Sequence, residues 1–353
     1  MLIMRQPYEE YKKLKRWSRA NEPIWNKFVD DKYLHYPDMY NIYKLFSKIF
    51  HIPINNFILT SGCEESLKIS LQVIKEYIRN KEENVSDLKN ELVYEYPSWG
   101  LAELIMGQFA DDNYALKRRE FVTNNKKEKP NNIIDDEIDY RISYETSLFN
   151  GLFYHKSRGI IKEENLLNQK YNIKNDKYFN LSKVNKESFK IIDEVYHLSF
   201  LRKFQSFDKN NIYIGSFSKI FGPGFRLGYI LYDFKFNDLM KYYRPQYISQ
   251  SGVDLIGILM NELNQHKNIK IFKDFNRALK TCTKKTNRFR RMFDDNPIYY
   301  SEHPNYISLD KDSLLKYSSI FGLNNYKINK EFKLNNINMV RLSRPLNFKL
   351  QDI

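Results

Sequence analysis

The stretch from Asn211 to Ile230 places one lysine, Lys219, among residues that suit phosphate binding. A lysine used for covalent catalysis must be held at a defined point and must have a partly deprotonated amine. Ser216, Ser218 and Arg226 supply hydroxyl donors and a forked cation that suit a phosphate dianion. Three glycines let the backbone approach a ligand closely: Gly222, Gly224 and Gly228. A nucleophilic amine beside a phosphate site predicts a phosphorylated carbonyl cofactor.

Two further motifs follow apolar runs that read as strands. In IIDEVY, Asp193 stands at the carboxyl end of such a run, with Tyr196 three residues later. In LTSGCEESL, the run ends at Thr60 and a glycine turn opens a helix. The free N–H groups at the start of a helix form an anion site, so this turn is a second candidate for phosphate binding.

The elements that must position these motifs alternate between strands and helices. The helix after Thr60 carries one apolar face, formed by Leu67, Leu71, Ile74 and Ile78. Strands separated by such helices predict an α/β fold with a doubly wound, mostly parallel sheet, which binds ligands beyond the carboxyl ends of its strands. The candidate strands are residues 56–60, 91–96, 152–154, 190–196, 212–217 and 228–233.

The chain divides, by pattern, into three parts. Residues 1–35 read as an N-terminal arm, 36–245 as a large domain and 246–353 as a smaller C-terminal α+β domain. The small domain carries strand candidates at 305–310 and 339–343. Two charged, asparagine-rich segments, 124–139 and 168–186, read as inserted surface loops.

The composition excludes several classes of protein. With 353 residues and 42% hydrophobic residues, the chain can bury a sizeable core. Its net charge of +14 comes from lysines spread along the whole chain, which indicates a basic solvated surface rather than a nucleic-acid site. The sequence contains no uninterrupted run of 18 apolar residues, so it predicts no membrane span. Two distant cysteines, Cys63 and Cys282, lack metal-type spacing and fit a reduced, cytoplasmic setting.

The pattern S-x-S-K-x-x-G-x-G-x-R-x-G around Lys219 resembles the Schiff-base lysine motif of the fold-type I pyridoxal-phosphate enzymes, the class I/II aminotransferase superfamily. The resemblance spans roughly residues 20 to 345. It implies pyridoxal 5'-phosphate as cofactor, bound covalently to Lys219. Ser216, Ser218 and Arg226 would then hold the cofactor phosphate.

The same resemblance assigns roles to the other two motifs. Asp193 would pair with the ring nitrogen of the cofactor and keep it protonated, and Tyr196 would hydrogen-bond the phenolic oxygen. The backbone amides of Gly62, Cys63 and Glu64 would bind the phosphate.

Three more positions match the superfamily. Trp99, in EYPSWG, takes the position of the ring that stacks on the pyridine, and Arg341, in VRLSRP, that of the arginine that binds the substrate α-carboxylate. The short motifs NEP (21–23) and YPD (36–38) are similar to those of the histidinol-phosphate aminotransferase branch. There the YPD tyrosine, here Tyr36, reaches the cofactor phosphate of a neighbouring subunit, which implies a homodimer.

The sequence departs from the superfamily in one motif. An N-P-T-G turn, whose asparagine bonds the phenolic oxygen, is missing from the stretch LFNGLFYHKSRGIIKEENL. Aligning its glycine with Gly159 puts Lys156, beside His155, in place of the asparagine. Alternatively, Asn150 fills the role with a shifted strand.

The resemblance implies a ping-pong transamination between an amino acid and a 2-oxo acid. Two alternatives stay open at this point. One is decarboxylation of the threonine-phosphate decarboxylase type, which the same residues could serve. The other is a non-catalytic binding protein that keeps the fold, which the missing N-P-T-G turn and the high charge favour.

Overall fold

A computed structural model describes residues 36–96, 99–120, 137–146, 183–195, 208–266, 301–303, 306–311, 327–334 and 337–343. Six α-helices lie in these ranges: α1 Met39–Phe50, α2 Cys63–Lys81, α3 Gly100–Gln108, α4 Ser218–Phe221, α5 Asn237–Tyr243 and α6 Gln250–His266. Short 3-10 turns cover Ile54–Asn56, Val85–Asp87, Pro223–Phe225 and Phe234–Phe236. Within the described residues, no helix is both long and apolar enough to cross a bilayer.

Seven strands form the larger sheet. They are β1 Phe57–Thr60, β2 Asn90–Tyr96, β3 Tyr114–Glu120, β4 Glu137–Thr146, β5 Lys183–Asp193, β6 Asn211–Ser216 and β7 Gly228–Leu231. Their order is β1-β7-β6-β5-β4-β2-β3, and β7 runs antiparallel to both of its neighbours while the other pairs are parallel. The predicted α/β fold with a mostly parallel sheet is confirmed.

Helices cover both faces of this sheet, which explains the nearly continuous apolar runs of its central strands. On one face, Phe57 and Leu59 pack in a cluster with α1 and α6. On the other face, Ile58 packs in a cluster with α2, α3 and α5. The predicted face of α2 is confirmed, because all four of its apolar residues are buried in this second cluster.

A smaller antiparallel sheet lies in the C-terminal region. Its strands are β8 Ser301–His303, β9 Tyr306–Asp310, β10 Lys327–Leu334 and β11 Ile337–Ser343, in the order β10-β11-β9-β8. The two strands predicted there correspond to β9 and β11. The division into domains at residue 245 stays a prediction, although α6, from beyond that point, packs in the same cluster as α1.

Several predicted boundaries were wrong. The segments read as inserted loops end in strands, because residues 137–139 begin β4 and residues 183–186 begin β5. Exposed ion pairs such as Lys183–Glu137 join the polar first residues of these two strands. A hydrophobicity pattern contains no information about such pairs. Strand β5 ends at Asp193 rather than at 196. The candidate strand at 152–154 lies outside the described residues.

Candidate active site

The carboxyl ends of β1, β5 and β6 meet the start of β7 at one edge of the large sheet. The register places Gly228 opposite both Thr60 and Ser216, and it places Asp193 opposite Ile214. Three of the motifs singled out in the sequence therefore come together, although more than 150 residues separate the first from the last.

The turn into α2, which contains Gly62, contacts the segment that contains Lys219 and Arg226. Gly62 caps α2 with a φ of 129°, a conformation that favours glycine. A Cβ on Gly62 would lie 3.0 Å from Nη2 of Arg226, so the guanidinium rests against this turn. The N–H groups of the first turn of a helix have no acceptor within the helix. Guanidinium and helix start therefore form a cradle of the kind that a phosphate group requires.

Hydrogen bonds from two serines hold the backbone of the turn that carries Arg226. Its φ of 47° is in the left-handed region, where a non-glycine residue needs support from its surroundings. The hydroxyls of Ser249 and Ser251 supply that support by donating to the carbonyl oxygens of Phe225 and Arg226 at 3.0–3.3 Å. Ser249 also accepts from the N–H of Gly252 at 3.2 Å, so the start of α6 fixes the turn that carries Arg226.

Lys219 belongs to α4, the single helical turn that directly follows β6. The N–H of Phe221 donates to the carbonyl of Phe217 at 3.0 Å, and the N–H of Gly222 donates to that of Ser218 at 3.2 Å. The backbone of the lysine is thus fixed at the sheet edge, whereas its side chain lies outside the described part of the structure.

The two serines beside Lys219 are placed differently from each other. Ser216 is buried, and its hydroxyl donates to the carbonyl of Leu227 at 3.2 Å while accepting from the N–H of Ser218 at 3.2 Å. These bonds tie the lysine turn to the segment leading into β7. The side chain of Ser218 is half-buried.

Asp193 is a buried carboxylate, with 3% of its surface exposed. Its Oδ2 accepts a hydrogen bond from the hydroxyl of Tyr144 at 2.6 Å, and its Oδ1 accepts one from the N–H of Val195 at 2.9 Å. Hydrogen bonds to the ionised form favour it over the neutral acid. Each carboxylate oxygen has two lone pairs, so the group can accept a further N–H from a ligand.

Of the remaining predicted site residues, the structure describes Trp99, Cys63 and Glu64. Trp99 follows the end of β2, caps α3 and is half-buried against the cluster that contains Tyr144. Cys63 starts α2 and packs on the same cluster, and Glu64 pairs through its carboxylate with Lys68 at 2.7 Å. The positions outside the described residues are Tyr196, Asn150, His155 and Lys156.

Tyr36 and Arg341 are placed only in part. Tyr36 is 63% exposed and stacks on Tyr247 of its own chain, with ring centroids 4.2 Å apart. Arg341 lies in β11, an inner strand of the small sheet, opposite Ser308 and Lys330. Its side chain lies outside the described part of the structure.

Tyr144, Ser249 and Ser251 are three residues of this edge that the sequence reasoning missed. Tyr144 belongs to β4, where buried side chains alternate from Tyr140 through Ile142. That alternation was a usable signal for the strand and for its buried face. The two serines gave no comparable signal, because their contacts are with a turn more than 20 residues away.

Comparison of whole structures identifies this architecture, whereas no family model and no curated protein matches the sequence. A candidate histidinol-phosphate aminotransferase from Erwinia carotovora atroseptica superposes with a TM-score of 0.52 at 17% identity, over 90% of this chain and 84% of that one. Histidinol-phosphate aminotransferase from Sinorhizobium meliloti, solved in complex with pyridoxal-5'-phosphate, gives 0.51 at 11% identity, over 95% and 82%. The chain therefore has the fold of the fold-type I pyridoxal-phosphate transferases.

Proposed function

We propose that this protein is a pyridoxal-phosphate-dependent aminotransferase that moves an amino group between an amino acid and a 2-oxo acid. One observation carries the proposal: the cradle of Arg226 and the start of α2 lies at the same sheet edge as buried Asp193 and the turn of Lys219. A phosphate site, an anion for a ring nitrogen and an amine are the three groups that this cofactor needs. The fold and the structural relatives support the same reading.

The residues of the edge fit the cofactor in a definite orientation. The phosphate would bind to Arg226 and to the amides of Gly62, Cys63 and Glu64, and the ring nitrogen would donate to Asp193. Trp99 would cover one face of the ring. When bound, the cofactor supplies a carbonyl that reacts with amines and a ring that accepts electrons.

The remaining steps belong to side chains of this chain. Arg341 would bind the α-carboxylate of the amino acid and so orient its Cα–H bond toward Lys219. The Nζ of Lys219 would remove that proton from Cα. It would then deliver the proton to the cofactor carbon that is bonded to the transferred nitrogen. Tyr196 would donate to the phenolic oxygen of the cofactor.

The partner of that oxygen in the superfamily, an asparagine, has two candidate replacements here. Strand β4 lies beside the strand of Asp193 and ends at Thr146. Asn150 follows this end closely in sequence, which favours it over Lys156 and its neighbour His155.

The cofactor chemistry is tested by absorption between roughly 300 and 500 nm. We expect a visible band in the purified protein, and borohydride should bleach it and leave the cofactor covalently attached. Lys219→Ala should abolish the covalent attachment, while Lys209→Ala, an exposed lysine in the turn before β6, should not. If added pyridoxal phosphate gives no band in the wild-type protein, the binding-protein alternative replaces this proposal.

The reaction itself is tested by its products. Transamination releases an oxo acid and leaves the carboxylate on it, whereas decarboxylation releases carbon dioxide. Amino acids that react can be found by the loss of the visible band. We expect these amino acids to yield the corresponding oxo acid. Release of carbon dioxide without oxo acid would reassign the protein to the decarboxylases.

The assembly and location belong to the same proposal. Tyr36 is exposed and could reach a second copy of the chain, which supports a homodimer. We place this homodimer in the cytoplasm. Sedimentation of the wild-type protein should give the mass of two chains, and a monomer carrying bound cofactor would contradict this part.

A further inference from the structure

Tyr144 and Asp193 form a buried hydrogen-bonded pair, and the proposed function gives a role to Asp193 but none to Tyr144. The phenol is fully buried and the carboxylate nearly so, and the two oxygens lie 2.6 Å apart. A distance of this length is typical of an O–H donor bonded to an ionised oxygen. The pair therefore consists of a neutral phenol that donates to a carboxylate.

The strands place this pair by their register. In the parallel pairing of β4 with β5, Tyr144 lies opposite Ile191 and Thr146 lies opposite Asp193. Side chains two residues apart share a face of a strand, so Asp193 lies on the same face as Phe189 and Ile191. Those two residues pack in one cluster with Tyr144, which brings the phenol to the carboxylate across that face.

We propose that Tyr144 is a positioning residue that acts through Asp193 and thereby sets the protonation of the ring nitrogen of the cofactor. This inference rests on the proposed function. Burial by itself favours the neutral form of a carboxyl group, and the hydrogen bonds from Tyr144 and Val195 oppose it. They also fix the plane of the carboxylate.

The consequence for the proton follows from this balance. With the phenol present, Asp193 would stay ionised and would accept the N–H of a protonated ring nitrogen. Without the phenol, the ionised carboxylate loses the hydrogen bond from Tyr144. Asp193 would then hold the proton on its own carboxylate oxygen and would donate to a neutral ring nitrogen instead of accepting from a protonated one. No other bond forms or breaks.

The test compares two ligands of the wild-type protein and of Tyr144→Phe. One ligand is pyridoxal phosphate, and the other is its analogue with carbon in place of the ring nitrogen, which has no proton to donate to Asp193. Tyr144→Phe should weaken pyridoxal phosphate about tenfold and leave the analogue nearly unchanged, because the hydrogen bond from Tyr144 favours the ionised carboxylate that a protonated ring nitrogen requires. A purely structural effect of the substitution would weaken both ligands equally.

A second measurement reads the proton directly. In protein loaded with ring-15N-labelled pyridoxal phosphate, the nitrogen should give the chemical shift of a protonated ring in the wild type. In Tyr144→Phe it should move toward that of the neutral ring. An identical shift in the two proteins would overturn the proposal.

Tyr140→Phe is the matched control, since Tyr140 is fully buried on the same face of β4 and also donates to a carboxylate, that of Glu82. It should leave the preference between the two ligands unchanged. Should Tyr144→Phe fail to fold, 3-fluorotyrosine at position 144 replaces it. This more acidic phenol keeps the bond and should increase the preference for pyridoxal phosphate, and an unchanged preference would overturn the proposal.

The outcomes for the two proposals are distinct. A wild-type protein that binds neither ligand refutes the proposed function and this inference together. A wild-type protein that prefers pyridoxal phosphate, with the same preference in Tyr144→Phe, refutes only the role of Tyr144.

Discussion

At the scale of single residues, the candidate site depends on charges that the backbone holds in place. Arg226 has a left-handed backbone conformation, and serine hydroxyls from the start of α6 hold the carbonyls of its turn. Its guanidinium is thereby kept against Gly62 instead of moving freely in solvent. A fixed cation loses less conformational entropy on binding a phosphate than a mobile one does.

We expect Arg226→Gln to weaken the binding of pyridoxal phosphate about 10- to 100-fold, the worth of charge-assisted hydrogen bonds. Pyridoxal, which lacks the phosphate, should bind the variant and the wild type alike. Titration of the apo protein with both ligands measures the two ratios. Arg79→Gln, at the opposite end of α2, is the control and should change neither. An equal loss for both ligands would mean that Arg226 supports the fold rather than the phosphate.

At the scale of elements, the site exists because β7 approaches the turn into α2 very closely. A Cβ on Gly228 would lie 2.6 Å from Oγ1 of Thr60 and 2.7 Å from Cα of Gly62. The same turn is held by Ser66, whose hydroxyl contacts Thr60 at 2.7 Å and donates to the carbonyl of Tyr229 at 3.2 Å. Only a glycine at position 228 allows this packing.

Gly228→Ala should therefore destabilise the protein by about 1–3 kcal/mol, the usual cost of overpacking, because backbone atoms must move. It should also weaken pyridoxal phosphate, since the displaced turn carries the phosphate amides. Urea unfolding and cofactor titration measure the two effects. Gly224→Ala is a matched control in the same motif, because a Cβ there would meet no atom within 4 Å. Equal unfolding midpoints for the two variants would contradict the packing argument.

At the scale of the whole molecule, stability in acid depends on ties between elements far from the candidate site. Glu82, just after α2, pairs with Lys186 of β5 at 2.6 Å and accepts from the hydroxyl of Tyr140 in β4. The bond from Lys186, followed by that from Tyr140, lowers the pKa of Glu82 below its ordinary value. Burial, with Glu82 as the next cause, raises the pKa of Tyr140.

The sign of the pH effect follows from that direction. A carboxylate whose pKa is lower in the folded state stabilises the protein above its ordinary pKa of ~4.3, and this contribution is lost as the pH falls through the folded value. Wild type should therefore unfold at higher urea than Glu82→Gln at neutral pH, and the two midpoints should converge in acid. Glu83→Gln, at the exposed neighbouring position, should show no such convergence. A difference that stays constant with pH would show that Glu82 acts by packing and not by charge.

The sequence predicted most of the large sheet, and its errors have a common cause. Strands β1, β6 and β7 were predicted because both of their faces are buried and most of their residues are apolar. Strand β2 was predicted from its apolar centre, Leu92 to Tyr94, which is buried. Strand β3 was missed because its last four residues are charged, and β4 was missed although its alternating pattern is a strand signal. Charged residues of both strands pair across the sheet. Glu91 of β2, for example, pairs with Lys117 of β3 at 2.5 Å and with Arg141 of β4 at 3.0 Å. Charge pairing between strands depends on register, which a single segment does not contain.

The local sequence by itself determined which residue types could do the chemistry. A lysine between serines and glycines, an arginine seven residues later and an aspartate at a strand end are properties of short segments, because each depends on local spacing. Only the tertiary structure decided that Arg226 lies against Gly62, that Ser216 donates to the carbonyl of Leu227 and that Tyr144 donates to Asp193. Those contacts join strands that are distant in sequence, and they arise from the order and register of the sheet.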